Sequence, residues 1–151
     1  GVIVHETAHQ WWYGVVGNNQ VDEPWLDESL TGYSEVIYYR EKYGEEVGLA
    51  YHNQKNLAIF NRADGQVKEK PVAIGLKDFQ DWLDYGFLIY TKGTLFFEEL
   101  EREYGRELFY DILRTYYERY KFDIAYSEDF FSLCEEILQE DISPLIDKWL
   151  R

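Results

Sequence analysis

The residues with the clearest potential for chemistry lie near the start of the chain. Positions 5–9 read HETAH, so His5 and His9 stand four residues apart and share one face of an α-helix. Glu28 follows 19 positions after His9. Two imidazoles and one carboxylate can hold a zinc ion and leave a fourth position open, as catalytic zinc sites do. We therefore predict that His5, His9 and Glu28 bind one Zn²⁺, although these ligands do not exclude another divalent ion.

Two further glutamates fit the same chemistry. Glu6 lies about 100° round the helix from His5, where it can reach a water molecule without being a ligand. Zinc at this site would lower the pKa of water and polarise a peptide carbonyl. Glu6 would then be the general base that takes the proton of the water and returns it to the leaving amine. Glu35 is seven residues after Glu28, on the same helical face, and is predicted to hydrogen-bond a ligand imidazole and fix its orientation.

The composition limits the classes of protein that can be considered. The chain has 151 residues, of which 46% are hydrophobic, so it is long enough for one folded domain. A net charge of −14 argues against nucleic-acid binding, because no basic patch is available to neutralise phosphates. No run of apolar residues approaches the roughly 18 to 20 that a membrane-spanning helix needs. The sequence leaves open the oligomeric state and whether the parent protein is cytoplasmic or membrane-associated.

The elements that must hold these side chains are predicted to be helices. Apolar periodicity and the placement of Gly and Pro predict a mainly α fold, organised as a single helical unit over residues 1–151. The third helix is expected to bury Val47, Leu49, Leu57, Ile59 and Phe60. The predicted helices span residues 2–15, 24–43, 45–61, 88–104, 106–120, 127–139 and 143–150.

Two motifs resemble those of a known family. HETAHQWW at 5–12 and WLDE at 25–28 are similar to segments of the zinc aminopeptidases typified by membrane alanyl aminopeptidase and leukotriene hydrolase. The pattern of that family is HExxH, eighteen residues and then Glu, which matches the eighteen residues 10–27 here. The resemblance implies the helical, thermolysin-like C-terminal subdomain of a gluzincin metallopeptidase catalytic domain. It also implies peptide substrates with a free amino terminus.

The resemblance extends to two more residues, Tyr90 and Tyr85, and Gly32 is a small departure from it. YTKG at 90–93 resembles the Tyr-x-Lys-Gly segment of the family, which implies that the Tyr90 hydroxyl hydrogen-bonds the oxyanion of the transition state. Tyr85 falls where some members carry a second tyrosine in the site. Gly32 falls four residues after Glu28, where relatives carry a larger residue, so it is expected either to enlarge the substrate pocket or to weaken the site.

One departure from the family affects the expected activity. Family members bind the α-amine of the substrate through the glutamate of a Gly-x-Met-x-Asn segment before the zinc motif, and this chain has no methionine. We therefore expect a partial catalytic domain, without its N-terminal part and flanking domains, whose activity depends on the missing parts. Two alternatives stay open: an inactive homologue that serves as a peptide- or partner-binding scaffold, and a zinc endopeptidase.

Overall fold

Helices account for most of the chain, and the predicted mainly α class is confirmed. The computed structural model describes all residues, 1–151. Two π-helices, Asn53–Leu57 and Leu88–Lys92, interrupt longer helical runs, and a 3₁₀ turn covers Leu76–Asp78. The α-helices are α1 (Val2–Ala8), α2 (Trp25–Tyr43), α3 (Glu45–His52), α4 (Ala58–Arg62), α5 (Gly65–Lys68), α6 (Trp82–Phe87), α7 (Gly93–Tyr104), α8 (Arg106–Tyr120), α9 (Ser127–Leu138) and α10 (Ser143–Trp149).

Helix α2 is the element against which the site is built, since it contacts α1, α3, α7 and the second π-helix. It starts directly after Pro24, a residue suited to a helix start, and ends at Gly44, whose φ of 99° favours glycine. Trp25 is fully buried at its first turn and stacks on Phe97 and Phe131 at centroid distances of 6.0 and 5.7 Å. This aromatic packing fixes the end of α2 that carries Glu28. No helix combines the length and apolar character that a membrane span requires.

A short parallel pair of strands ties the segment before α2 to the rest of the fold. β1 (Gly17–Asn18) pairs with β2 (Ile124–Ala125), which lies between α8 and α9. The Asn18 side-chain amide then donates a hydrogen bond of 3.0 Å to Oδ1 of Asp27, whose side chain is buried. The residue next to Glu28 is therefore fixed from outside its own helix.

The first helix is shorter than the sequence predicts. We expected a helix over residues 2–15, but α1 ends at Ala8. Beyond it the chain turns, Tyr13 adopts a φ of 104° and Gly14 donates to the carbonyl of His9. The turn directs the Trp12 carbonyl back to the ring of His9 and places the Trp12 indole 6.0 Å from the ring of Tyr116. Tertiary contacts of Trp12 thus end the helix before its apolar pattern does.

The buried face of the third helical run also differs from the prediction. Val47, Leu49 and Ile59 are 42%, 54% and 45% exposed, so the prediction that these three residues are buried is wrong. Leu57 and Phe60 are only partly buried against the core. The run instead turns a small and polar face inward, because α2 approaches so closely that a Cβ on Gly48 would lie 2.6 Å from Arg40 Cβ. The buried residues on this face are Gly48, His52 and Asn56.

A buried ion pair between Arg40 and Glu101 joins α2 to α7, and its removal is expected to destabilise the fold. Oε1 of Glu101 accepts from Arg40 Nη1 at 2.7 Å, and Oε2 accepts from the Tyr33 hydroxyl at 2.7 Å. Glu101→Gln removes the charge that compensates the buried guanidinium, so we expect a loss of about 3–5 kcal/mol in the free energy of unfolding. Chemical denaturation measures this loss. Glu103→Gln, at an exposed site on the same helix, is the matched control, and equal effects of the two substitutions would contradict the prediction.

Candidate metal centre

Three side chains from α1, its C-terminal end and α2 converge on one point. Oε2 of Glu28 lies 3.0 Å from His5 Nε2 and 3.4 Å from His9 Nε2. The ligand atoms of all three residues lie within 4.8 Å of one another. Two atoms that each lie about 2.0 Å from one tetrahedral ion are about 3.3 Å apart, so the residues fit a zinc ion. The helical spacing of four residues explains the pairing of the imidazoles, and the packing of α1 on α2 adds the carboxylate.

Each imidazole is held through its other nitrogen. His5 Nδ1 lies 2.9 Å from Glu35 Oε1, which is the contact expected of Glu35 from its helical face. His9 Nδ1 lies 3.0 Å from the Trp12 carbonyl oxygen. Because a carbonyl oxygen only accepts, His9 carries a proton on Nδ1, and Nε2 is the nitrogen that faces Glu28 and would bind a metal ion. This arrangement fixes the tautomer and the ring orientation that a metal ligand requires.

Charge also favours a cation between these groups. Burial on its own would lower the pKa of His5, but the hydrogen bonds to Glu28 and Glu35 outweigh it and raise that pKa to about 9. Burial would likewise raise the pKa of Glu28, but hydrogen bonds from His5 and His9 hold it at about 2. The carboxylate therefore stays ionised, and the cluster stabilises positive charge at the point where the three side chains meet.

The partner of His5 gives a testable expectation for metal affinity. Glu35 accepts from His5 through Oε1, and its Oε2 accepts from the Tyr51 hydroxyl. Glu35→Ala removes the group that orients the His5 ring, so we expect zinc affinity to fall about 10- to 100-fold. Competition with a chromogenic chelator measures the affinity. Glu46→Ala, at an exposed site on α3, should leave it unchanged. An unaltered affinity in Glu35→Ala would show that Glu35 does not support the site.

A cavity of about 470 Å³ opens directly over the cluster. Glu6 lies in its wall with an exposed side chain, one residue after His5 and free to face a substrate. Three carboxylates and one amine line the cavity, which gives it a formal charge of −2 apart from the histidines. A cationic amino group is therefore favoured there over an anion. The charged lining residues are Glu6, Glu28, Glu35 and Lys55.

Tyr90 reaches the cluster from the second π-helix. Its ring packs edge-on to His5 at a centroid distance of 5.6 Å, and it lines the cavity. Burial raises the pKa of Tyr90, and the negative charge of Glu28 raises it further, so the phenol stays protonated and can donate a hydrogen bond. Tyr85 packs edge-on to Tyr90 at a ring-centroid distance of 5.8 Å and does not line the cavity. Burial raises the pKa of Tyr85 to about 12.

Gly32 lies in the cavity wall, as its position four residues after Glu28 suggests. A Cβ at this position would stand 2.7 Å from Oγ1 of Thr94, so glycine permits α2 to approach α7 closely. Thr94 in turn donates to the carbonyl of Tyr90 at 3.0 Å. Gly32 therefore affects the width of the cavity and, through Thr94, the position of Tyr90.

Several groups around the cluster could not be found from the sequence. The Trp12 carbonyl is a backbone group, and Tyr51, Lys55 and Asn56 lie on a third helical run without a motif. Thr31 Oγ1 lies 3.3 Å from His9 Nδ1, three residues after Glu28. Of these groups, only Thr31 could have been predicted from the sequence, because helical spacing places it beside the ligand face of α2.

The comparison with known proteins agrees with this geometry. The sequence model of the peptidase family M1 domain matches residues 1–149, nearly the whole chain. The chain belongs to peptidase family M1. Among family relatives, aminopeptidase N of Lactococcus lactis is 25% identical over 158 residues, covering 99% of this chain and 18% of the relative. The probable aminopeptidase 1 of Sulfurisphaera tokodaii is 26% identical, covering 99% of this chain and 19% of the relative.

Solved structures share the fold of this chain. An M1 zinc metallopeptidase from Deinococcus radiodurans superimposes with a TM-score of 0.78 at 20% identity, covering 99% of this chain and 32% of that one. Yeast LTA4 hydrolase gives a TM-score of 0.75 at 23% identity, covering 99% of this chain and 25% of that one. The M1 chain described here therefore spans less than a fifth of the length of the curated relatives it matches.

Proposed function

We propose that the protein carrying this chain is a zinc-dependent aminopeptidase. The observation that carries the proposal is the convergence of both Nε2 atoms on the Glu28 carboxylate, with both Nδ1 atoms engaged elsewhere. His5, His9 and Glu28 would hold one Zn²⁺. When bound there, zinc would polarise the scissile carbonyl and make water a stronger acid.

Residues of the chain supply the proton transfer, the stabilisation of the transition state and the orientation of the imidazoles. The Glu6 carboxylate accepts a proton from the attacking water and delivers it to the nitrogen of the leaving amine, so that the peptide bond is replaced by an acid and a free amine. The Tyr90 hydroxyl donates a hydrogen bond to the oxygen of the attacked carbonyl as negative charge develops on it. Glu35 and the Trp12 carbonyl keep the two imidazoles in orientation.

A free amino terminus is the substrate feature that best suits the cavity. Its lining carries three carboxylates against one lysine, which favours a protonated α-amine near the scissile bond. The relatives that match the chain include aminopeptidase N of Lactococcus lactis and a glutamyl aminopeptidase of Bos taurus, which supports the same substrate class. We propose that the chain is a helical part of a larger catalytic domain.

Hydrolysis of matched peptides by the zinc-loaded protein that carries this chain tests this function. One peptide has a free amino terminus and the other is the same sequence with an acetylated terminus. We expect residues to be released from the free terminus only, and the product amino acids can be followed by chromatography. Internal cleavage of the acetylated peptide would instead indicate an endopeptidase. Binding of peptide without hydrolysis of either substrate would indicate a scaffold.

A further inference from the structure

The two π-helices both border the cavity. Asn53–Leu57 interrupts the helical run of α3 and α4, and Leu88–Lys92 interrupts the run of α6 and α7. The two segments are in contact, and both contribute residues to the cavity wall. π-Helices are rare, and single π-turns inside α-helices occur frequently at functional sites. The residues that join the two segments can therefore affect the position of Tyr90.

One buried side chain makes the connection. Asn56 is 5% exposed, and its Nδ2 donates a hydrogen bond of 2.9 Å to the backbone carbonyl of Tyr90. The same carbonyl accepts from Thr94 Oγ1 at 3.0 Å. The neighbouring carbonyl, of Ile89, accepts from the buried Ser29 hydroxyl at 2.8 Å. The backbone on which Tyr90 stands is thus held by side chains from α2, α7 and the first π-helix.

The contacts of Tyr90 show why its backbone must be fixed. Its ring is flanked by Tyr85 and His5 at centroid distances of 5.8 and 5.6 Å, so a backbone shift would move the hydroxyl relative to the ligands. A displacement of about 1 Å in an active site can cost about 10²-fold in rate. Among these contacts, the one from Asn56 comes from the first π-helix, whereas those from Ser29 and Thr94 come from α2 and α7.

We infer that Asn56 is a positioning residue for Tyr90, which holds the phenol in line with the carbonyl oxygen of the substrate through its hydrogen bond to the Tyr90 backbone. The inference rests on the proposed function, in which the Tyr90 hydroxyl stabilises the transition state. Asn56 also lines the cavity, so a direct contact with substrate is the competing role. The two roles differ in their kinetics, because a positioning residue acts only through the hydroxyl of Tyr90.

A double-mutant cycle in the zinc-loaded protein separates the two roles. We expect Asn56→Ala to lower kcat about tenfold, the effect of one lost hydrogen bond, with KM changed less than about twofold. In the Tyr90→Phe background, Asn56→Ala should add less than about twofold, since the group that it positions is already absent. Asn53→Ala, at an exposed asparagine of the same π-helix, is the control and should leave kcat unchanged.

A second measurement does not depend on activity. Hydrogen–deuterium exchange of the amides in 88–94 should become faster in Asn56→Ala and remain slow in Asn53→Ala. If Asn56→Ala does not fold, Asn56→Asp takes its place, because aspartate keeps the shape of the side chain but has no amide donor at neutral pH. The same faster exchange in 88–94 is expected of it.

The outcomes distinguish this inference from the proposed function. Equal losses of kcat in the wild-type and Tyr90→Phe backgrounds would overturn the positioning role, as would a rise in KM alone, which points to a substrate contact. Unchanged exchange in 88–94 would also overturn it. If Tyr90→Phe itself leaves kcat unchanged, the proposed role of Tyr90 fails, and the inference fails with it.

Discussion

Replacement of Glu6 by glutamine is expected to reduce kcat for peptide hydrolysis about 10²- to 10⁴-fold, the range for loss of a general base. Glu6 is not among the three side chains that converge, and its exposed carboxylate lies in the cavity wall. Glutamine keeps the shape of the side chain but cannot accept a proton from water. Zinc content and the midpoint of thermal unfolding should therefore stay close to those of the wild type. Steady-state kinetics together with metal analysis measure the effect.

The matched control for this substitution is Glu46→Gln, which removes one carboxylate from an exposed site away from the cavity. It should leave kcat unchanged. Retention of full activity in Glu6→Gln would remove Glu6 from the mechanism. Loss of zinc together with activity would show instead that Glu6 supports the metal centre.

Replacement of Tyr90 by phenylalanine is expected to lower kcat about 10²- to 10³-fold, as found when one donor to an oxyanion is removed. The ring would keep its packing against His5 and Tyr85, so the fold and the zinc content should be preserved. Because the hydroxyl acts on charge that develops in the transition state, KM should change little. Kinetics with a peptide that has a free amino terminus test this expectation.

Tyr85→Phe provides the comparison for Tyr90→Phe. Tyr85 is buried and does not line the cavity, so the loss of its hydroxyl should lower kcat less than the loss of the Tyr90 hydroxyl. Equal losses of kcat in both variants would show that the pair acts as a packed unit. No loss of kcat in either would contradict the role assigned to Tyr90.

The sequence predicts the pairing of His5 and His9 on one helical face, because helical geometry is local. The spacing of His5 and His9 fixes their shared face whatever surrounds the helix. The start of α2 after Pro24 and its end at Gly44 also follow from residues with strong backbone preferences. The mainly α class follows from the same local signals. These features could therefore be read without knowledge of the fold.

Features that depend on tertiary contacts could not be predicted in this way. The apolar pattern continues beyond Ala8, but the chain turns there because Trp12 packs on Tyr116 and its carbonyl meets His9. The π-helix at 53–57 has no local signature, since a π-turn inserts one residue into an otherwise ordinary helix. Its buried face carries Asn56, a polar residue that a search for apolar periodicity passes over.

The family assignment concerns nearly the whole chain but only a small part of a relative's length. The match to peptidase family M1 covers residues 1–149, whereas the chain covers only 18% of the Lactococcus lactis aminopeptidase N. Groups that select a substrate in such relatives can therefore lie outside this stretch of sequence. The candidate metal centre does not depend on them, because the three side chains that converge and the partners of both imidazoles come from residues 5–35.

The zinc content of this chain tests the central claim most directly. The purified chain, its His9→Ala variant and the control Gln10→Ala should be equilibrated with zinc, freed of excess metal and analysed for zinc per mole of folded protein. We expect one tightly held zinc ion in the wild type and in Gln10→Ala, and none in His9→Ala, because removal of one imidazole leaves two of the three ligands. A folded wild-type chain that holds no zinc, or a His9→Ala variant that binds it equally well, would contradict the assignment of His5, His9 and Glu28 as a metal centre.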